Sequence, residues 1–228
     1  MVLQQRKVNR YLHLPFRGSR FFVEEGWYYS AEEHGIHHYK KHGGIDFRLR
    51  RGTSILAAHS GYALASYQHN IRRYRGRDLM YQGKPVGFGL GYLVVIWNPG
   101  LKRGTLYGHL QKASPALPHV RPTGKFPNLK SRLFSLRPSE FVRRGKRVRA
   151  GQVIGWCGDQ GCTWGYSDYP RRPDPRYFPS WDGAHLHFEE FGKPAAGRRV
   201  DWRDPFGVYG FFKQYPRRVR RAKLSLWI

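Results

Sequence analysis

Short apolar runs punctuated by glycine and proline dominate the chain, as expected of β-structure with many turns. Residues 53–67 (TSILAAHSGYALASY) are apolar and broken by Ser60-Gly61, which predicts two short strands. The strongest β run is 91–97 (GYLVVIW), where Tyr, Val, Ile and Trp all favour a pleated, half-buried surface. An Asn98-Pro99-Gly100 turn follows, and 104–110 (GTLYGHL) returns antiparallel, which places His109 near a strand end beside the centre of the sheet. Residues 114–140 break the rhythm with Pro115, Pro118, Pro122, Pro127 and Pro138 and read as an ordered excursion without long regular elements. Pattern resumes at Arg143, where RRGKRVRAGQVIGWCG predicts a hairpin of two short strands around Ala150-Gly151. After a Pro-rich, aromatic loop over 163–182, AHLHFEEF predicts a strand at about 184–191 that closes the sheet. No long segment has a 3.6-residue apolar period, so helices should be few and short. The expected fold is mainly β, an antiparallel sheet or sandwich, in one domain without internal repeats.

Composition adds a partner. The 228 residues carry 41 Lys and Arg against 15 Asp and Glu, a formal charge of +26 that implies attraction to a polyanion: nucleic acid, anionic lipid or the bacterial wall. The excess is dispersed along the chain, which argues less for a dedicated nucleic-acid groove than a single stripe would, while permitting nonspecific nucleic-acid binding. Residues 1–20 include Arg6, Lys7, Arg10, Arg17 and Arg20 and no apolar core of signal-peptide length, and no membrane-length apolar segment occurs. Cys157 and Cys162 have four residues between them in a Gly-rich loop, compatible with a zinc pair, a small disulfide loop or two thiols.

Four pieces carry chemistry. His185 and His187 flank Leu186, and alternation on a strand turns both imidazoles to one face, about 6.6 Å apart at the Cα atoms. In His42-Gly43-Gly44-Ile45-Asp46, two glycines allow a sharp reversal that brings a His and an Asp to one ion. One oxygen and two nitrogen ligands make an ordinary catalytic zinc set with the fourth position open. His109 in Tyr107-Gly108-His109-Leu110 is the third piece. Singly, each has a bland reading: chance histidines, a turn, a structural imidazole. The fourth piece is their joint order: HGGID, GTSILAA, GYLVVIWN, YGHL, KRVRAGQVIG, HLHFE.

That order resembles the lysostaphin/LytM-like zinc endopeptidases over roughly residues 14–206. The resemblance implies a duplicated hybrid β fold with long loops around a groove, a peptidase domain over 1–228 with its core at about 14–206, and a basic extension at 207–228. It implies His42, Asp46 and His187 as zinc ligands, and His185 and His109 as the catalytic pair that does not bind metal. His185 is then the general base and His109 the donor or orienter, with exchange of the two roles allowed. All five positions are filled, unlike in the family's inactive, wall-binding members. The implied substrate is the peptide cross-links or stems of peptidoglycan, and the implied location is outside the cytoplasm, as a monomer. Trp164, Tyr166, Tyr169, Tyr177, Phe178 and Trp181 either line a groove or pin their loop to the core. The excursion after His109 and the loop before His185 are longer than the family's connections. Upstream, His34, His38 and His42 would align on a helix as a separate metal site. Gly43 and Gly44 oppose a helix there and the family register selects His42, leaving His34, His37 and His38 to substrate contact or a surface cluster.

Overall fold

The computed structural model describes residues 11–18, 20–25, 43–71, 73–74, 77–78, 80–81, 84–85, 87–125, 128–161, 184–195, 198–200 and 218–220. In chain order the strands are β1 (Arg20–Glu25), β2 (Ile45–Arg48), β3 (Ser54–Leu56) and β4 (Gly61–Ile71). Then come β5 (Arg73–Tyr74), β6 (Arg77–Asp78), β7 (Met80–Tyr81), β8 (Lys84–Pro85), β9 (Gly87–Asn98) and β10 (Arg103–Ala113). β11 (Lys146–Val148), β12 (Val153–Cys157), β13 (His185–Phe191), β14 (Lys193–Ala195), β15 (Arg198–Val200) and β16 (Arg218–Arg220) complete the set. Among the described residues one α-helix, α1 (Pro138–Arg144), and one 3-10 turn, Leu133–Ser135, fall in the Pro-rich excursion. The fold is mainly antiparallel β, as the apolar pattern predicts.

The main sheet runs β11-β4-β9-β10-β13-β2-β1-β16, and β12 branches off, paired to both β10 and β3. The branch is a fork in β10. Its first half, Gly104 to Gly108, pairs with β13, whereas its second half, from Leu110 on, pairs with β12. β9 flanks β10 on the other side from Arg103 to Leu110, with a register shift between Tyr107 and Leu110. His109 lies at that shift.

Alternation divides the sheet residues between two cores. One face carries Ala63, Ala65, Val94, Ile96, Tyr107, Phe47, Leu186 and Phe188, which pack with Leu12, Leu14 and Phe16 and with Ile55 and Ile154 of β3 and β12. The opposite face carries Leu64, Leu93, Val95, Trp97 and Leu106, covered by Leu133, Leu136 and Phe141 from the excursion. The excursion is therefore a lid over half of one face.

Three expectations change. β11 and β12 form where predicted but not as a hairpin with each other: β11 pairs with β4, and β12 with β10 and β3. The hydrophobic pattern places strands, whereas pairing is chosen by which neighbour buries them. β13 does not close the sheet but lies inside it, between β10 and β2, buried along its whole length. His109 is not near a strand end, because β10 continues to Ala113. Cys157 is buried, with Sγ 3.9 Å from the Gly158 carbonyl oxygen. Cys162, the aromatic loop 163–182 and His34, His37 and His38 lie outside the described residues. No helix among the described residues is long and apolar enough to cross a membrane.

Candidate active site

The site grows from β13 and its two neighbours. Leu186 and Phe188 enter the first core, so alternation turns His185, His187 and Glu189 to the other face. β2 lies alongside with His187 opposite Asp46, and β10 lies on the other side with His187 opposite Gly108. Asp46 accepts a hydrogen bond at Oδ1 from His187 Nδ1, at 2.8 Å. On the far side of the ring, His187 Nε2 donates to Glu189 Oε1 at 2.9 Å. His185 turns Nε2 toward Asp46 Oδ2 across 3.9 Å.

Two glycines make room for these side chains. A Cβ on Gly44 would stand 2.4 Å from the Phe188 carbonyl oxygen and 3.0 Å from His187 Cε1. Close approach of the segment entering β2 to β13 requires glycine at this position, and the predicted reversal toward His42 involves a residue outside the described ones. At Gly108 a Cβ would meet Leu90 at 2.9 Å and His187 Cβ at 3.4 Å.

His109 joins the cluster through a fault in β10. On a regular strand its side chain would face opposite to Gly108, away from His187. Instead, His109 takes φ +58°, an unusual left-handed conformation, within the register shift. Leu110 thereby returns to the first core, and the His109 ring lies with its centroid 4.5 Å from His185 and 6.0 Å from His187. Its Nδ1 is 2.7 Å from the Gln160 carbonyl oxygen. A carbonyl only accepts, so Nδ1 carries the proton and Nε2 presents a lone pair. The Gln160 segment is anchored by Gly158 bridging to His185 and by a two-pronged Arg51–Asp159 ion pair at 2.7 and 2.5 Å.

The electrostatics differ sharply across the cluster. Burial lowers the basicity of His109, helped by His185 and His187, and holds it well below the usual imidazole value and neutral. Burial also opposes charge on His187. There the Asp46 carboxylate and the hydrogen bonds to Asp46 and Glu189 outweigh it and push the pKa up to about 9. The space between Asp46 and His187 is thus one where positive charge is stabilised despite burial.

Of the five residues singled out in sequence, four stand together: Asp46, His109, His185 and His187. His42 lies outside the described residues, and among those described no group of three His, Cys, Asp or Glu is arranged to hold a metal. Asp46 Oδ1 and His187 Nδ1 nonetheless face each other across a shared proton, and displacing that proton would make them an oxygen and a nitrogen ligand of a partial cation site. Two contributors escaped the sequence reading. Glu189 shares the face of His187 two residues on, which strand periodicity alone could have revealed. The Gln160 carbonyl has no residue-type signal at all.

No family model and no curated protein matches the chain. Solved structures do. The chain is similar to lysostaphin. With the catalytic domain of that antimicrobial peptidase from Staphylococcus simulans it shares 18% identity over 86% of each chain, at a TM-score of 0.37. A zinc-containing peptidase from Vibrio cholerae aligns at 19% identity over 86% of this chain and 39% of the other, with a TM-score of 0.40. Csd3 from Helicobacter pylori aligns at 16% identity over 88% of this chain and 35% of its own length, with a TM-score of 0.41. The chain therefore spans well under half of the latter two proteins.

Proposed function

We propose that the chain is a zinc-dependent endopeptidase that hydrolyses peptide cross-links or stem peptides of bacterial peptidoglycan outside the cytoplasm. The observation that carries this reading is the convergence of Asp46, His187, His185 and His109 on one face at the fork of β10. The motif resemblance supplies the substrate class, and the +26 charge agrees with an anionic wall.

His42, Asp46 and His187 would hold the metal, with Glu189 fixing the orientation of the His187 ring through Nε2. Zinc in such a site supplies Lewis acidity toward a carbonyl and its attacking water at neutral pH. The proton from that water needs an acceptor, and no HExxH glutamate exists in this sequence. His109 meets the requirement by geometry: its Nδ1–H is committed to Gln160, which leaves the Nε2 lone pair as acceptor. His185 then serves as the donor and orienter on the opposite side, beside Asp46 Oδ2. This exchanges the two roles relative to the assignment from sequence, and the tautomer of His109 is the reason.

The test is digestion of purified peptidoglycan by the full chain with and without chelator. Release of new amino termini that chelator abolishes and zinc restores is the expected result. Wall binding without any cleavage in zinc would overturn the peptidase reading in favour of a binding regulator.

A further inference from the structure

The Pro-rich excursion carries a concentration of charge that the dispersed sequence pattern hides. Residues 121–149 contain ten Lys and Arg and one acid, Glu140. That acid is used locally: Oε2 accepts from the Arg137 backbone N–H at 2.8 Å, closing the N-terminus of α1, and Oε1 lies 3.7 Å from Arg144.

Backbone pairing lays this segment along the outer edge of β4. β11 pairs with Gly61 to Ala63, His119 bridges to Ala65, and Leu129 bridges to His69. The amide of Ala65 donates to Pro118 and that of Val120 to Ala65, at 2.9 and 2.8 Å, while His69 and Leu129 exchange both their hydrogen bonds. Exposed Arg121, Lys130, Lys146, Arg147 and Arg149 thus follow one edge from the level of Gly61 to that of His69, a run of roughly 27 Å at strand rise. Cations often guard a bare sheet edge against pairing with another chain. Here the β4 edge is already covered by backbone, and edge guarding accounts only for Lys146 and Arg147 on the short edge strand β11, not for Arg121, Lys130 and Arg149, which lie outside named strands.

We propose that this strip is a docking track for a flexible, single-chain phosphodiester polymer of the poly(glycerol phosphate) type. Guanidinium groups pair with phosphate oxygens bidentately, and three of the five strip cations are arginine. Nucleic acid fits less well. The described aromatics of the segment, Phe134 and Phe141, pack into the core beneath it and offer no stacking platform. The single helix among the described residues has seven residues and lies against the sheet, so it cannot enter a duplex groove. Three inter-strand steps of about 4.8 Å separate β4 from β13, so a polymer on the strip leaves the histidine face open. The proposal does not rest on the peptidase reading and is tested by binding alone.

The experiment titrates fluorescently labelled poly(glycerol phosphate) with the full chain at several salt concentrations. The strip variant R121Q/K130Q/R147Q is expected to lose about tenfold or more in affinity and about two units of the log–log salt slope, some 0.7 per phosphate contact. A control variant with the same charge loss elsewhere, R17Q/R50Q/K102Q, should lose less than about threefold, while R121K/R147K, which keeps the charge but loses the bidentate geometry, should fall between the two. Independently of any variant, bound polymer should protect Lys130 and Lys146 of the native protein from acetylation more than Lys102. Equal losses in the strip and control variants, or equal protection of all three lysines, would overturn the proposal. So would a preference of about tenfold or more for duplex DNA that the strip substitutions abolish.

Discussion

His109 adopts a conformation that side chains other than glycine seldom take, and it does so where three strands meet. Backbone strain of this kind costs on the order of 1–3 kcal/mol and persists only where the surroundings impose it. Here the result is an imidazole aimed at its partners. The three histidines should fail differently when replaced by alanine. On the proposed function, His187→Ala removes a ligand, so bound zinc and activity should disappear together. His185→Ala and His109→Ala should keep the metal and slow turnover by about 100- to 10,000-fold. Zinc stoichiometry and hydrolysis rate on the three purified variants decide this, and loss of metal from His185→Ala with retention in His187→Ala would reverse the ligand assignment. His59 shows the opposite use of a histidine. It is buried, Nδ1 donates to the Ser60 carbonyl at 2.9 Å, and Nε2 accepts from the Thr105 hydroxyl at 3.0 Å. Burial pushes its pKa down to about 4, the hydrogen bond to Ser60 only partly opposing it. The unfolded chain therefore takes up this proton first as pH falls, so the contribution is complete above about pH 6.5 and lost toward pH 4. The loss amounts to roughly 3 kcal/mol. The urea midpoint should fall further between pH 7 and pH 4 in the native protein than in His59→Gln. Parallel pH curves for the two would refute the account.

At the level of elements, the site depends on how closely β2 can approach β13. Gly44 stands against the β13 backbone, where nothing can yield cheaply, whereas a Cβ at Gly100 would meet only Asn98 Oδ1 at 3.4 Å. Gly44→Ala should therefore cost at the upper end of the ~1–3 kcal/mol typical of overpacking, or more, and should separate Asp46 from His187. Gly100→Ala should change stability by no more than about 0.5 kcal/mol. Denaturant midpoints and zinc affinity of the two variants test the difference. An unchanged zinc affinity in Gly44→Ala would mean that strand spacing does not hold the site. Gly108→Ala should be intermediate, since its closest obstacle, Leu90 Cδ2, belongs to a flexible side chain.

For the whole molecule, the cores and the site are separate investments. Both apolar clusters close without any of the site residues, and the buried Arg103–Glu190 pair, reinforced by Tyr11, secures the far end of β10 and β13. If the proposed function holds, removing metal should abolish hydrolysis yet leave the sheet folded, unlike small domains that unfold without zinc. Far-UV circular dichroism should be unchanged by chelator, while added zinc raises the melting temperature by mass action. Loss of the β signal on chelation would show that the site is structural. Affinity for purified walls should fall steeply as salt rises, because exposed charges are screened over about 8 Å at physiological ionic strength. Sedimentation with walls that does not change between low and high salt would assign recognition to the groove instead of the charge.

Local pattern alone determined the strands at 91–97, 104–110 and 184–191, the nearly helix-free class, and the shared face of His185 and His187, because strand periodicity is a property of neighbouring residues. It also singled out Asp46 and His109, since a motif needs only residue type and order. Pairing was different. The separation of β11 from β12, the interior place of β13 and the basic strip along β4 depend on which surfaces bury one another, and segments far apart in sequence decide that. The same holds for the site's finer chemistry. Only the fork in β10 turns His109 across the sheet, and only the anchored Gln160 carbonyl fixes its tautomer, because neither a bulge nor a backbone acceptor leaves a mark in residue type.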